Sequence, residues 1–222
     1  MLFRSDDHPL ADHRQDIRAH MAALELSVDR DWLRFKGTAF WASGDDDARN
    51  ATASGFDAIY DGPNFAGGPF SFWQRSAVAL TQTGVLLKSS GSLLPSLRSS
   101  KFEGQANFVN PGILLLGAGI DAELTPKLRM ALVGNYLRFD KTGALEYLLF
   151  QPGIRKPIGF DVGGGFTYRP LLNENVVVTA GFTGLLPGAG FEDIYSSTCT
   201  VPGCGAESRK LFNAFVQLKL AY

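Results

Sequence analysis

The sequence has few of the residues that most catalytic and metal centres use. Its 222 residues include 2 cysteines, 3 histidines and 3 methionines. Structural zinc sites use about four Cys or His ligands, so two cysteines are a weak basis for one. The histidines (His8, His13 and His20) lie near the start, and no G-x-S-x-G nucleophile motif accompanies them. We therefore predict no catalytic residue, no metal site and no cofactor, and interpret the histidines as surface residues.

Long apolar runs and an excess of one charge are also absent. The formal net charge is −1 at pH 7, so no basic character points to a nucleic acid partner. No stretch of about 18 apolar residues occurs, so the sequence predicts no transmembrane helix. Residues 1–7 are charged and lack the apolar stretch of a signal peptide. If the protein is secreted, we expect further sequence before Met1.

Glycine and phenylalanine are plentiful, with 25 and 17 residues. Phenylalanine suits the pleated surface of a sheet and glycine suits bends, so this composition favours strands over long helices. In seven stretches every second residue is apolar, which is the pattern of strands with one apolar face. These predicted strands cover residues 16–28, 32–43, 112–124, 128–140, 158–168, 176–186 and 211–222.

The connections between these strands alternate in length. The short turns are 29–31, 125–127 and 170–175, and the long connections are 44–111, 141–154 and 187–210. A tilted strand of about ten residues spans the hydrocarbon core of a bilayer. Short turns on one side and long loops on the other are typical of outer-membrane barrels. The sequence therefore predicts an all-β protein, an antiparallel transmembrane β-barrel of the bacterial outer membrane.

Seven is an odd number, whereas single-chain bacterial barrels have an even number of strands. We therefore expect residues 1–222 to be one domain that forms the C-terminal seven strands of a larger barrel. If the last residue lies in the periplasm, all three short turns lie there and all three long connections lie outside. A further span at 78–87 would break this sorting, so we interpret 78–87 as part of the loop.

The last stretch shows the alternation most clearly. The phase predicted to face lipid contains Phe212, Val216, Leu218, Leu220 and Tyr222. The opposite phase contains Asn213, Gln217 and Lys219. A terminal aromatic residue suits the membrane interface. This ending resembles the C-terminal signature of bacterial outer-membrane proteins, which implies outer-membrane lipid and the barrel-assembly machinery as partners.

The polar phases of the strands predict a pore lining of mixed charge. It comprises Arg34, Lys36, Asp121, Glu123, Arg129, Asp161, Arg169, Gln217 and Lys219. A polar inward phase favours a water-filled lumen. Because the two signs nearly balance, this lining predicts no strong charge selection.

Segment 44–111 is too long for a plain loop and too apolar for a disordered one. We predict that it folds into or over the pore mouth. Its candidate constriction residues are Arg75, Lys88, Arg98 and Lys101. The alternative is that these charges only solvate the surface of the loop.

Three shorter motifs each have a functional and a structural interpretation. Residues 117–122 (GAGIDA) fit the dinucleotide pattern G-x-G-x-x-A, which needs a helix that begins at the glycines. Thr125 and Pro126 follow at once within a strand pattern, so we interpret 117–122 as strand. Residues 44–47 (GDDD) suit either a hard cation or a solvated turn, and we favour the turn. Cys199 and Cys204 are predicted to form a disulfide, because an outward-facing loop meets oxidising conditions.

Five stretches resemble bacterial outer-membrane porin-like proteins of the alginate-export type. They are AALELSVDRDWLRFK (22–36), ASGDDD (42–47), GFDAI (55–59), NFAGG (64–68) and LTPKLR (124–129). The resemblance implies a monomeric barrel that passes a solute by diffusion. It also implies a pore lined with Arg and Lys, and an anionic polysaccharide as one candidate solute.

We therefore predict an outer-membrane channel without catalysis. It allows passive passage of a solute, either an anionic polysaccharide or a small hydrophilic molecule, and has no nucleic acid partner. Two alternatives stay open at this point. One is an outer-membrane barrel enzyme such as a lipase, and the other is a soluble β domain that binds a ligand.

Overall fold

The structure, a computed structural model, describes residues 15–58, 64–80, 83–98, 108–196 and 210–221. Its largest feature is a seven-stranded antiparallel sheet. In chain order the strands are β1 (Met21–Arg30), β2 (Leu33–Ala42), β3 (Ile113–Thr125), β4 (Leu128–Arg138), β5 (Pro157–Tyr168), β6 (Val176–Pro187) and β7 (Leu211–Leu220). Each strand pairs with its neighbours in this order, so the sheet is an up-and-down meander.

The seven strands predicted from the alternation are all present. The main difference lies at the start, where β1 begins at Met21 instead of near residue 16. Asp16–Ile17 forms a separate short parallel pair with Thr52–Ala53. The backbone N–H of Asp16 donates to the carbonyl oxygen of Ala51 at 2.8 Å, which draws this stretch away from the sheet.

The short turns join strands whose pairing is regular apart from register shifts between Glu123 and Thr125 and between Leu137 and Arg138. After β1, Asp31 adopts a left-handed φ of 53°, a region that Asp tolerates better than most residues. After β3, the hydroxyl of Thr125 accepts the N–H of Leu128 at 3.0 Å. Because these shifts lie near strand ends, the phase of a residue along the rest of its strand decides which face of the sheet it occupies.

The helices lie in the long connections. A 3₁₀ turn (Gly68–Phe70) and α1 (Phe72–Arg75) belong to segment 44–111, α2 (Gly143–Leu149) follows β4, and α3 (Ala189–Ser196) follows β6. Within 78–87, Val78–Ala79 pairs with Leu86–Lys88 outside the main sheet. This stretch therefore adds no strand to the meander. No helix among the described residues is long and apolar enough to cross a membrane.

Segment 44–111 leaves the sheet and returns to it at one point. Ala42 at the end of β2 lies opposite Ile113 at the start of β3. Next to them, the backbone N–H of Asp45 donates to the carbonyl oxygen of Asn110 at 2.7 Å. The segment is therefore a long excursion from a single β-hairpin.

The hydrophobic core lies between one face of the sheet and segment 44–111, towards the end that carries the long connections. The sheet contributes the buried side chains of Phe40, Leu115, Leu137 and Leu185, and the connections contribute those of Trp73, Leu87, Leu93, Leu145 and Ile194. Burial of each large apolar side chain stabilises the fold by about 1.5–3 kcal/mol. We call the covered face the inner face and the opposite one the outer face.

The sheet is not closed into a barrel. Within the described residues, β1 and β7 are its two edges and do not pair with each other. The prediction of a large antiparallel sheet is confirmed, whereas a closed barrel is not present in this part of the chain. Five strands separate the edges, and a meander of this kind leaves both edges running in the same direction.

Candidate functional site

The outer face is apolar and exposed on every strand. Its exposed side chains include Leu24, Leu26, Val28, Phe35, Leu116, Ile120, Leu132, Phe160, Val162, Phe166, Phe182, Phe212, Val216, Leu218 and Leu220. Leu116, Phe160 and Leu218 have exposed fractions of 50%, 55% and 59%. A soluble monomer rarely exposes a contiguous apolar patch of this width. This face is therefore suited to contact with something other than water.

The inner face carries polar side chains, several of them fully buried. Asn135 on β4 and Asp161 on β5 lie opposite each other and are 1% and 0% exposed. Asp121 and Thr183 are also buried on this face. A water-soluble protein usually has the reverse arrangement, with apolar residues inside and charged ones outside.

Ion pairs line the inner face near the short turns. Lys36 Nζ and Arg129 Nη2 both contact Oδ2 of Asp121. The Asp121 side chain is 7% exposed, whereas those of Lys36 and Arg129 are 27% and 32% exposed. The carboxylate therefore lies beneath two cations that reach the surface.

The pairing continues across the next strands. Arg129 Nε lies 3.6 Å from Glu123 Oε1, and Glu123 Oε2 lies 3.9 Å from Arg169 Nη2. Arg169 Nη1 in turn lies 3.4 Å from Glu174 Oε1 in the turn before β6. We call this alternating series the ion-pair chain: Lys36, Asp121, Arg129, Glu123, Arg169 and Glu174. A separate pair, Arg34 with Asp29, lies beside it at 2.5 Å.

Asp161 ties segment 44–111 to the inner face. Its carboxylate accepts the hydroxyl of Ser71 and, at 2.8 Å, the backbone N–H of Phe72. Asn135 Nδ2 donates to Asp161 at 3.3 Å and to the carbonyl oxygen of Ala66 at 3.0 Å. Residues 66–72 are thus held against β4 and β5 by buried hydrogen bonds.

Glycines allow this close approach. A Cβ on Gly163 would collide with the carbonyl oxygen of Phe70, and one on Gly165 would lie 2.7 Å from the Phe70 ring. On the opposing segment, Gly67 and Gly68 have φ angles of 92° and 51°, which favour glycine. The 3₁₀ turn therefore lies directly on the backbone of β5.

A cleft of about 300 Å³ separates residues 64–70 from the ion-pair chain. Its lining includes Glu25, Lys36, Arg129 and Arg169. Glu25 Oε2 accepts the backbone N–H of Ala66 at 3.4 Å, which joins β1 to residues 64–70 beside the cleft. This volume is at the lower end of the range for small-molecule sites, about 300–1,000 Å³.

Of the predicted constriction residues, Arg75 faces the sheet. Its guanidinium lies over the ring of Phe215 on β7, 3.6 Å from the ring centroid. Burial lowers the pKa of Arg75. Stacking of this kind contributes about 0.5–2 kcal/mol. Arg75 thus links the end of α1 to the inner side of the edge strand.

Two other predicted constriction residues, Lys88 and Arg98, have side chains largely buried inside segment 44–111. Lys88 is 0% exposed, and its Nζ donates to the carbonyl oxygens of Ser76 and Ser89 at 2.6 and 2.9 Å. Arg98 is paired with Asp57, and both side chains are largely buried. In this conformation they stabilise the segment itself. Lys101 lies outside the described residues.

Gln217 and Lys219 lie on the edge strand β7 and are exposed. They are opposite Thr179 and Val177 of β6, in the inner phase of the sheet. They lie beyond the ion-pair chain and make no part of the cleft lining. The predicted disulfide of Cys199 with Cys204, together with Tyr222, lies outside the described residues.

In the acidic turn after β2, the Asp45 carboxylate binds backbone N–H groups of the same segment. Asp45 accepts the backbone N–H groups of Ser54 at 2.7 Å and of Asp47 at 3.0 Å. Burial raises the pKa of Asp45.

Across the part of the chain that the structure describes, no group of three or more His, Cys, Asp or Glu is placed to hold a metal ion. Residues 117–122 lie inside β3, so the helix that a dinucleotide motif needs does not begin there.

Sequence reasoning missed Ser71 and Asn135. Ser71 is the N-cap of the short helix α1, a role that the sequence could have predicted, but its bond to Asp161 spans 90 residues. Asn135 is a polar inner-phase residue of β4, so the alternation could have predicted it as a lining residue.

Comparison with protein-family models, curated proteins and solved structures gave no match to this chain. The function is therefore inferred from geometry and sequence pattern.

Proposed function

We propose that the sheet is part of the wall of a bacterial outer-membrane β-barrel, and that the barrel is a porin-like channel for passive passage of a hydrophilic solute. The observation that carries this proposal is the inversion of the two faces, with Phe160 exposed outside and Asp161 buried inside. In a membrane barrel the outward phase meets hydrocarbon and the inward phase meets polar groups and water.

The outer face has the chemistry of a lipid contact. Leu26, Val162 and Phe212 lie across its middle, and aromatic residues lie near its two ends. Trp41 is near the long connections and Tyr168 near the short turns, which suits the two membrane interfaces. A soluble β domain would gain stability by burying these side chains, so their exposure favours the membrane reading.

The open edges require completion in lipid. Unpaired backbone N–H and C=O groups cost several kcal/mol each in hydrocarbon, by order of magnitude. β1 and β7 run in the same direction, so antiparallel closure between them requires an odd number of additional strands. We propose that these seven strands are a contiguous portion of such a larger barrel.

Segment 44–111 is the proposed constriction of this channel. It lies on the inner face, fixed by Asp161 and by the stacking of Arg75 on Phe215. A folded segment on the lumen side narrows the path for a solute and leaves the cleft beside it. Lys88 and Arg98 support the segment from within.

The resemblance to alginate-export porin-like proteins adds a family to the proposal. It favours a monomeric channel without catalysis and a solute that is either an anionic polysaccharide or a small hydrophilic molecule. The chain would reach the outer membrane through the assembly machinery that reads the last strand.

The test uses the complete gene product that contains this sequence, produced in a Gram-negative host. We expect it in the outer-membrane fraction, resistant to urea extraction, with slower gel migration after boiling. In planar bilayers the purified protein should give stepwise conductance. Detergent-free solubility of the refolded protein would contradict the membrane assignment, and membrane insertion without conductance would contradict the channel.

A further inference from the structure

The ion-pair chain alternates in sign at every step. It runs from Lys36 on β2 through Asp121 and Arg129 to Glu123, Arg169 and Glu174. Each cation in it contacts a carboxylate, and each carboxylate contacts a cation. The chain borders the cleft between the sheet and residues 64–70.

Alternation of this kind removes long-range selectivity. The field of a charge next to its opposite falls off much faster than that of a single charge, and salt screens the remainder. Selective channels instead use rings of one sign. A passing ion therefore meets local dipoles along this wall and little net potential.

Two nearby carboxylates have different partners. Asp29 is paired with Arg34 and adds no net charge, whereas Glu25 meets the neutral N–H of Ala66 and adds one negative charge to the cleft lining, which disfavours a polyanion further. Lys219 is exposed on β7, away from the cleft lining. Asp121 is the pivotal member, because its single carboxylate lies between two cations that are both partly exposed.

We infer that the solute of this channel is an uncharged hydrophilic molecule, such as a neutral saccharide, and that Asp121 determines this specificity by neutralising Lys36 and Arg129. The inference rests on the channel function proposed above. Neutral polar groups of a saccharide can bond to the exposed edges of the ion pairs without displacing a partner. A polyanion would gain from the cations only by competing with their own carboxylates.

The experiment measures ion selectivity and solute passage in the complete protein reconstituted in bilayers and liposomes. In a KCl gradient we expect a chloride-to-potassium permeability ratio within about twofold of one for the wild type. Asp121→Asn leaves Lys36 without its carboxylate and Arg129 with Glu123 alone, an excess of one positive charge, and should raise this ratio by about threefold or more. In liposome swelling, lactose should enter the wild type faster than lactobionate, an anion of similar size.

Two further variants separate selectivity from folding. Lys36→Gln combined with Asp121→Asn removes one charge of each sign and should restore the wild-type ratio. Asp193→Asn removes a carboxylate next to Arg155 at the opposite end of the sheet, so it should leave the ratio unchanged. Rescue by the double variant is a result that mere destabilisation by Asp121→Asn would not give.

Several outcomes would overturn the inference. A wild-type channel that strongly prefers chloride, or that passes lactobionate faster than lactose, would show a polyanion-type pore. An unchanged ratio in Asp121→Asn would remove this residue from selectivity. Absence of any conductance would contradict the channel function itself, and the inference would fall with it.

Discussion

Asp161 on β5 accepts the backbone N–H of Phe72, with 2.8 Å between Oδ1 and N. Both residues are buried, and 89 positions separate them in the sequence. This bond joins the sheet to the excursion that covers its inner face. Its neighbours Ser71 and Asn135 bind the same carboxylate. The position of the segment on the sheet therefore depends on a side chain of the wall.

We predict that Asp161→Ala loosens the segment. It leaves the N–H of Phe72 and the hydroxyl of Ser71 without their acceptor, which costs about 1–3 kcal/mol. Trp73 is fully buried next to Phe72, so its fluorescence reports whether segment 44–111 has moved away from the sheet. In a background with Trp32→Phe and Trp41→Phe, acrylamide should quench Trp73 more strongly in the variant. Asn213→Ala, on the inner phase of β7, is the control, and equal quenching in both would contradict the prediction.

A second prediction concerns the glycines of the sheet. Gly163→Ala places a methyl group against the carbonyl oxygen of Phe70, so we expect it to lower stability by about 1–3 kcal/mol. Gly134→Ala is the matched control, because a Cβ there meets nothing within 4 Å. Thermal unfolding in detergent gives the comparison. If both substitutions had the same effect, direct contact between the 3₁₀ turn and β5 would be refuted.

A third prediction distinguishes lipid from water at the outer face. Val162→Arg places a charge at the middle of this face, which in a bilayer costs about 2–4 kcal/mol. In water the same change at a side chain that is 42% exposed would be nearly neutral. Folding yield into lipid vesicles measures the effect. Thr179→Arg, on the inner phase of β6, should fold normally, and normal folding of Val162→Arg would argue for a soluble domain.

A fourth prediction concerns pH. Arg155 binds Asp193 through two bonds of its guanidinium, at 2.7 and 2.9 Å, and holds the pKa of this carboxyl below its usual range. A lowered folded-state pKa stabilises the fold above the unfolded pKa near 3.8, and this stability is lost as pH falls through the folded pKa.

Asp193→Asn should therefore be less stable than wild type at neutral pH by about 0.2–1 kcal/mol, the range for such surface pairs. The two proteins should converge in stability as the pH falls below the folded pKa of Asp193. Denaturant unfolding across this range is the measurement. A difference that stays constant down to low pH would show that the pair contributes nothing through its charge.

The alternation of apolar residues was sufficient to predict the strands. For β5, the sequence from Ile158 to Tyr168 shows a two-residue period, and the strand covers Pro157–Tyr168. The register and the faces follow, because the side-chain period of a strand is two. The prediction erred near Asp16, where backbone bonding to Ala51 overrides the apolar pattern.

The contacts of the site join residues that are far apart in the sequence, so the alternation could not predict them. The phase of Asp161 places it on the inner face but does not reveal that Ser71 is its partner. Lys88 carries a charge, yet it is fully buried, with its Nζ bonded to the carbonyl oxygens of Ser76 and Ser89 and lying near the Trp73 ring. The alternation determines which face of the sheet a residue occupies. The packing of segment 44–111 determines which side chains that residue contacts.

The single point of departure of segment 44–111 has an engineering consequence. Since Ala42 and Ile113 are already cross-strand partners, their Cα atoms lie about 5 Å apart, a distance that a tight turn of a few residues can bridge. Segment 44–111 and the sheet that it covers are thus topologically independent. Segment 44–111 can be excised, exchanged or grafted without changing the strand order of the sheet, and the same seven strands could carry inserts of other shapes.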